Sequence, residues 1–540
     1  MIKKIYQKLF QSNFQQIGGA ALLLGGASVA SRLLGVLRDR ILAGTFGAGN
    51  ELDIYYAAFR FPDLVFNLII MGALSAGFIP VFIRFLHRED KKEAWALANC
   101  VANFTSLFLI LFSLALFAFA PFLIKILTPG FSAEKIAETV KLTRIMAWSP
   151  FLLGLSAVLG NILQSLKRFF TYALAPILYN LSIIFGALVL VPRFGLAGLA
   201  WGVVLGSLIH FLTQIPSLVG TGYRYSFLFN WRQPGLKDIL YLTSPRIMSV
   251  ALLQLNFLAI TVLASSLAIG SIAIFDLAYN IWSFPLGIFA ASFVVASFPK
   301  LSEEAGRQDW VAFKQSFIYT FRQILFYLIP ASALFIILRA QIVRIILGTG
   351  KFTWSNTVLT VESLKFLTLG LLAEGLTLLL SRAFFSLEDS KTPFLWGLFG
   401  SVARIGLAWF FGRQLGVPGL ALGFASGAIL QMLALWFSLE RRLKDFQDES
   451  IFSGGVKMVL AALGAGIAAW LGLRLGARLV DMQTGLGIFL QGTLAGLAGV
   501  FVYILISSWM KLEEMRDLLR ALFSKFSLKK VVVEEDIANL

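Results

Sequence analysis

The sequence predicts an all-α, polytopic membrane protein that threads the bilayer about fourteen times, with both ends in the cytoplasm. Three observations carry that prediction. The first is composition: 58% of the 540 residues are hydrophobic and only 14% are charged, whereas soluble domains carry about 25% charged residues. So little polar surface cannot wrap so large an apolar interior, and a mean hydropathy of +0.81 makes lipid the solvent. The second is that apolar windows of about 20 residues, the length that spans a bilayer, recur along the whole chain. The third is that the basic residues between those windows fall on alternate sides.

In chain order the windows predict spans near 18–46, 54–83, 96–124, 142–164, 171–191 and 196–219. A second set follows near 238–265, 270–298, 315–338, 357–381, 393–411 and 417–438, and two more lie near 456–473 and 484–509. The first window follows Lys3, Lys4 and Lys8 as a signal peptide would, but it runs on into a longer helix without a small-residue cleavage site and is read as retained. With the N-terminus inside, the inner segments hold 26 Lys and Arg and the outer loops 10, the other 10 of the 46 lying within or at the ends of spans. That bias obeys the positive-inside rule and requires an even number of spans.

The net charge of +17 would suggest nucleic acid in a soluble protein. Here the cations lie between apolar stretches, so they point to topology and to anionic membrane lipids as partners, not to nucleic acid. Cys100 is the single cysteine and His87 and His210 are the two histidines, which excludes an intrachain disulfide and leaves little for a metal site. No cofactor is implied. His87 reads as a solvated loop residue. No catalytic signature stands out: Gly348-Thr-Gly350-Lys351 lacks the spacing of a phosphate loop, and the sequons at Asn103 and Asn180 fall inside spans. The protein is read as a non-enzyme.

The chain repeats itself. Asp53-Ile-Tyr-Tyr-Ala-Ala-Phe-Arg-Phe-Pro62 matches Asp276-Leu-Ala-Tyr-Asn-Ile-Trp-Ser-Phe-Pro285 at an offset of 223, and Gly195-x-x-Gly198-Leu-Ala-x-Gly202-x-x-x-Gly206 matches Gly416-x-x-Gly419-Leu-Ala-x-Gly423-x-x-x-Gly427 at 221. Six spans apart means the same orientation, so the halves are parallel repeats. The expected domains are an N-terminal lobe at 1–220, a C-terminal lobe at 221–440, two extra helices at 441–510 and a cytoplasmic tail at 511–540. Such an architecture rocks two bundles around a central site, and the glycine ladders serve close helix packing. In the tail, Leu512, Met515, Leu518, Leu519, Leu522, Phe523 and Phe526 recur at helical spacing among basic residues, which predicts an interfacial helix on the inner leaflet; the alternative is a tail packed on the protein's own loops.

Charge inside the first two spans is the feature that carries chemistry. Arg32, Arg38 and Asp39 interrupt an apolar run, and a charge at bilayer depth costs several kcal/mol unless it faces a cavity or a partner. Counted from Gly18, Arg32 lies about 21 Å along the helix, near mid-membrane, and Arg38 about 30 Å. Asp53 stands at the outer end of the second span, with Arg60 deeper and Pro62 expected to break the helix there. An internal Arg–Asp network pinning the two helices explains Arg38 and Asp39 as well as a binding role does. Arg32 has no near partner in sequence and favours a water-filled cationic cavity, which selects anions; the guanidinium fork suits phosphate. Further charges within spans are Arg246, Glu362, Lys365, Glu374 and Arg404, with Glu374 a candidate partner of Arg404.

At these residues the sequence resembles the MurJ/MviN family of lipid II flippases. The likeness rests on Ser31-Arg32-Leu-Leu-Gly35-x-x-Arg38-Asp39, Phe46-Gly47-Ala48-Gly49, Asp53-x-x-Tyr-x-Ala-Phe59-Arg60-x-Pro62 and Gly72-Ala-Leu-Ser75-x-x-Phe78-x-Pro80. Phe284-Pro285-x-Gly287, Gly350-Lys351-Phe352-Thr353 and Asp389-x-Lys391-Thr392-Pro393 add to it. The resemblance implies two six-helix lobes plus two helices, the wider multidrug/oligosaccharidyl-lipid/polysaccharide exporter group, and a flippase of the bacterial cytoplasmic membrane. Its substrate would be the undecaprenyl-pyrophosphate-linked peptidoglycan precursor, moved from inner to outer leaflet. It implies central-cavity contacts at Arg32, Arg38 and Asp53; to these the reading of the residues adds Arg60 as a substrate contact, with Ser31, Asp39, Asp276, Asn280 and Arg404 in support. The pattern also departs from the family's: Phe66, Asn67 and Met71 stand where the second helix usually carries arginine and an acid, Tyr279 and Asn280 replace an Asp-Arg pair, and Arg404 replaces an asparagine near a region tied to sodium. Either the substrate differs, or Arg60 and Arg246 supply the charge, or the protein is a diverged paralogue. The alternatives are therefore an exporter of another polyprenyl-pyrophosphate glycan, or a transport-inactive membrane scaffold for cell-wall enzymes.

Overall fold

The computed structural model describes residues 17–69, 75–87, 91–443 and 448–520, and among them the regular structure is all helix, with no strand. Labelled in chain order, the helices of the first part are α1 (Ile17–Phe46), α2 (Asn50–Phe66), α3 (Ser75–Leu86), α4 (Lys91–Leu127), α5 (Ala133–Met146), α6 (Ser149–Ser165), α7 (Phe169–Phe185), α8 (Ala197–Leu212) and α9 (Leu236–Ser265). Then follow α10 (Ser271–Pro285), α11 (Ala291–Gly306), α12 (Trp310–Ile346), α13 (Trp354–Leu369), α14 (Leu371–Ser386), α15 (Lys391–Leu415), α16 (Val417–Leu443), α17 (Asp448–Leu479) and α18 (Gly485–Trp509).

Among the described residues 11 helices are long and apolar enough to cross a membrane, or up to 12 if α13 and α14, bent by 40° at Gly370, form one span. Two predicted spans stand outside that number. The first is α1, whose 30 residues carry Arg32, Arg38, Asp39 and Arg40; the second is split between α2 and α3, with residues 70–74 outside the described chain. Large apolar side chains lie bare on the spans, among them Phe119 and Phe122 on α4, Ile467 on α17 and Phe501 on α18. In water these would drive aggregation; against acyl chains they are the expected surface.

The proline in the second span does not break its helix, contrary to expectation. Pro62 sits inside α2, which continues to Phe66 before a π-helical stretch at 67–69. A proline removes one backbone donor and crowds one carbonyl, and the wider π turn that follows takes up the strain. Its repeat mate Pro285 is the last residue of α10, followed directly by a π turn at Leu286–Ala290.

The contacts divide the chain into two units: residues 1–277, 346–359 and 408–420 form the first, and residues 278–345, 360–407 and 421–540 the second. In the first, the glycine ladder of α8 does what its spacing suggested. A Cβ on Gly202 would sit 2.8 Å from the Gly186 Cα, and one on Gly198 2.4 Å from the Leu190 carbonyl carbon, so only glycine lets these backbones touch. In the second unit Gly427 plays the same part, since a Cβ there would lie 2.6 Å from the Arg404 amide nitrogen.

Residues 513–520 form a helix within the second unit. Leu512 and Met515 are buried against Phe326, Met458 and Tyr503, and Arg322 holds Glu514 at 2.6 Å and Glu513 at 3.3 Å. This stretch of the tail packs on the protein's own helices, the alternative to a bilayer-lying helix; residues 521–530, which carry the rest of the apolar stripe, lie outside the described chain.

Candidate functional site

α1 is about 45 Å long at 1.5 Å per residue, and Arg32 stands at its midpoint, partly buried. Among the described residues it makes no hydrogen bond and no ion pair. Two turns on, Arg38 is engaged on every side: its Nε and Nη2 donate to the Asp39 Oδ1 at 3.0 and 2.8 Å, and its Nη1 donates to Asn180 Oδ1 at 3.2 Å. Asn180, on α7, turns its amide toward Ser31, with the Ser31 hydroxyl and carbonyl at 3.5 Å. Through Asn180 the Arg38–Asp39 pair ties α1 to α7.

Asp53 is 2% exposed. Its Oδ2 accepts from the Gly270 amide at 2.8 Å and from Lys135 Nζ at 3.0 Å, and its Oδ1 accepts from the Ala273 amide at 3.0 Å. It thus caps the N-terminus of α10, where the helix dipole and unpaired amides favour an anion. Its repeat mate Asp276 answers from α10: Arg60 Nη2 donates to both carboxylate oxygens at 2.7 and 2.6 Å, its Nε donates to Thr261 Oγ1 at 2.7 Å, and the guanidinium lies 5.5 Å from the Phe257 ring centroid. Each repeated aspartate grips the helix that carries the other. In this structure both carboxylate oxygens of Asp53, and Nε and Nη2 of Arg60, two residues read from sequence as substrate contacts, are engaged by these internal bonds.

Next to Asp53 the chain is sealed backbone to backbone. The Lys351 amide donates to the Gly44 carbonyl at 2.8 Å. Cβ atoms on Gly350 and Gly270 would fall 2.2 Å from the carbonyl oxygens of Gly44 and Ala48, and both glycines have positive φ, +55° and +89°. The sequence motifs Phe46–Gly49 and Gly350–Thr353 meet here, so their glycines are demanded by close approach.

In the second unit Arg404 is 3% exposed. Its Nη2 donates to Glu374 Oε2 at 2.7 Å and to Gln431 Oε1 at 3.2 Å, and its guanidinium lies 4.6 Å from the Phe424 ring centroid. The Glu374 pairing is the one the sequence suggested. Asn280 is partly buried on α10 and carries a neutral amide where a guanidinium was expected. Sequence reading missed Asn180, Lys135 and Thr261 as partners. Asn180 was recoverable as a polar residue inside an apolar span; Lys135 and Thr261 carry no such signal.

A family model described as lipid II flippase MurJ matches residues 42–486. The chain belongs to that MurJ family. The probable lipid II flippase MurJ of Thermotoga maritima is 29% identical over 491 residues, spanning 91% of this chain and 96% of the relative. That of Buchnera aphidicola is 28% identical over 444 residues, spanning 81% and 86%. A solved structure of lipid II flippase MurJ in an inward closed conformation is 26% identical with a TM-score of 0.76, covering 92% of this chain and all of that one. An inward-facing multidrug transporter of the MATE family, 17% identical with a TM-score of 0.68, shares the fold. Membership in MurJ places the chain among multi-pass bacterial inner-membrane transporters.

Proposed function

We propose that this chain flips lipid II, the undecaprenyl-pyrophosphate-linked peptidoglycan precursor, from the inner to the outer leaflet by alternating access. The observation that carries the proposal is Arg32. A guanidinium at the midpoint of a 30-residue helix, without a protein partner among the described residues, costs several kcal/mol in an apolar setting. A pyrophosphate offsets that cost and matches the fork's geometry. Ser31 and the Asn180–Arg38–Asp39 bonds hold the neighbouring turns, so Arg32 is presented on a fixed helix. Support also comes from the relatives named lipid II flippase.

The same reading includes fourteen spans, lobes at 1–220 and 221–440, both termini in the cytoplasm, and contacts with anionic lipids and cell-wall synthesis enzymes. Asn280 favours a second reading, a membrane scaffold without transport, because it removes one of the charges a pyrophosphate would meet. Rescue of cells depleted of their own lipid II flippase separates the two. Growth on this chain supports flipping, and failure of a well-expressed, correctly inserted chain refutes it.

A further inference from the structure

One cavity lies apart from the charged cluster. A crevice of about 720 Å³ opens on the first unit between α4, α6, α8 and an irregular strap at 219–231, a size usual for small-molecule sites. Its walls include Leu107, Ile110, Leu155 and Phe211, and the strap adds Tyr225, Phe227 and Phe229. The strap is tied to α4 by two asparagines one turn apart. Asn99 Nδ2 donates to the Arg224 carbonyl at 2.9 Å, and Asn103 Nδ2 donates to the Ser226 and Leu228 carbonyls at 3.0 Å.

The crevice offers little to a polar solute. The Tyr225 and Tyr223 hydroxyls donate to the Asn103 and Asn99 Oδ1 atoms at 2.9 Å, and the Ser106 hydroxyl donates to the Ala102 carbonyl at 2.5 Å. With these groups satisfied internally, what remains is apolar wall. The strap is nonetheless exposed, Phe227 by 81% and Trp231 by 69%, as aromatic residues at a bilayer interface are.

Charge identifies the rest of the occupant. From residue 139 to residue 237 the chain has no acidic residue. Exposed Arg224 and Arg232 flank the strap's aromatics, and Arg168 is bonded to the Ser217 and Val219 carbonyls at 2.5 and 3.0 Å, where the strap begins. We propose that this crevice holds an acyl chain of an anionic glycerophospholipid of the surrounding membrane, with Arg224 and Arg232 meeting its phosphate-bearing headgroup. The aromatic strap closes over the chain, and the asparagine ladder keeps the strap in place. The site is independent of the lipid II substrate and of Arg32.

Native mass spectrometry of the full chain, titrated with phosphatidylglycerol and phosphatidylcholine of identical acyl chains, tests this. The wild type retains one phosphatidylglycerol through a detergent wash and prefers it by roughly thirtyfold, the scale of two cations acting on an anionic lipid. Arg224→Gln with Arg232→Gln brings the two lipids level while keeping one bound. Ser106→Trp fills the crevice and loses both; Leu155→Trp does the same from the facing wall should the first variant not fold. Retention of the lipid by both crevice-filled variants overturns the proposal. So does a headgroup preference that survives loss of the two arginines, and so does displacement of phosphatidylglycerol by an equimolar polyprenyl phosphate, which would make the occupant an isoprenoid.

Discussion

Replacing Arg32 by alanine separates a substrate contact from a structural one. The side chain has no protein partner among the described residues, so its removal breaks no bond and relieves a partly buried charge; the thermal unfolding temperature should hold or rise. A charge-assisted contact to pyrophosphate is worth roughly 1.5–3 kcal/mol, which lowers lipid II affinity about tenfold to a hundredfold. Arg32→Lys should recover part of that, since a point charge lacks the bidentate fork. Arg60→Ala is the internal contrast. It strands Asp276, now held at 2.6 Å, and breaking a buried pair from one side costs about 3–5 kcal/mol. The assays are lipid II binding in nanodiscs, flipping in proteoliposomes and unfolding in the same detergent. Loss of stability without loss of affinity in Arg32→Ala would refute the reasoning.

Four further outcomes follow from named contacts. In a Cys100→Ser background, cysteine at exposed Lys91 should label only from the cytoplasm and cysteine at exposed Lys141 only from outside; Lys135 is unsuitable because it is bound to Asp53, and reversed labelling removes the topology. Transport should be insensitive to exchanging sodium for potassium or choline, because Arg404 already places a fixed cation beside Glu374; strong sodium dependence in vesicles would disprove this. Asp53→Ala should uncap α10 and strand Lys135, lowering stability by about 3–5 kcal/mol and raising amide exchange at Gly270 and Ala273, with unchanged exchange as the contrary result. Burial works against the Asp389 carboxylate, but the Thr392 amide and hydroxyl and Arg442 outweigh it and hold the group below its ordinary value. Its cap on α15 is therefore complete above the ordinary carboxylate range and is lost as pH falls through the lowered value. The protection of the Lys391 and Thr392 amides against exchange, relative to the unstructured rate at each pH, should hold from pH 8 to about 5 and fall only in stronger acid, and Asp389→Asn, which caps a helix about as well but does not titrate, should flatten that response.

Local period and composition were enough to place the helices and the repeat. Apolar windows of bilayer length specify helices because an unpaired backbone has no solvent in lipid, and an offset of 223 between Asp53 and Asp276 reveals the repeat without coordinates. The glycine ladders were legible for the same reason, since small residues four apart face one neighbour whatever that neighbour is. Tertiary structure decided which charges are free. Arg32, Arg38 and Arg60 look alike in sequence, each a guanidinium in an apolar span, yet Asn180 claims Arg38 from 142 positions away and Asp276 claims Arg60 from 216. Asp53 likewise became a helix cap only because α10 begins beside it, and Leu512 and Met515 became core because α12, α17 and α18 offered a surface. Local pattern states that a charge must be satisfied; only the packing of distant helices states by what, because Coulomb and hydrogen-bond energies depend on separation in space and not along the chain.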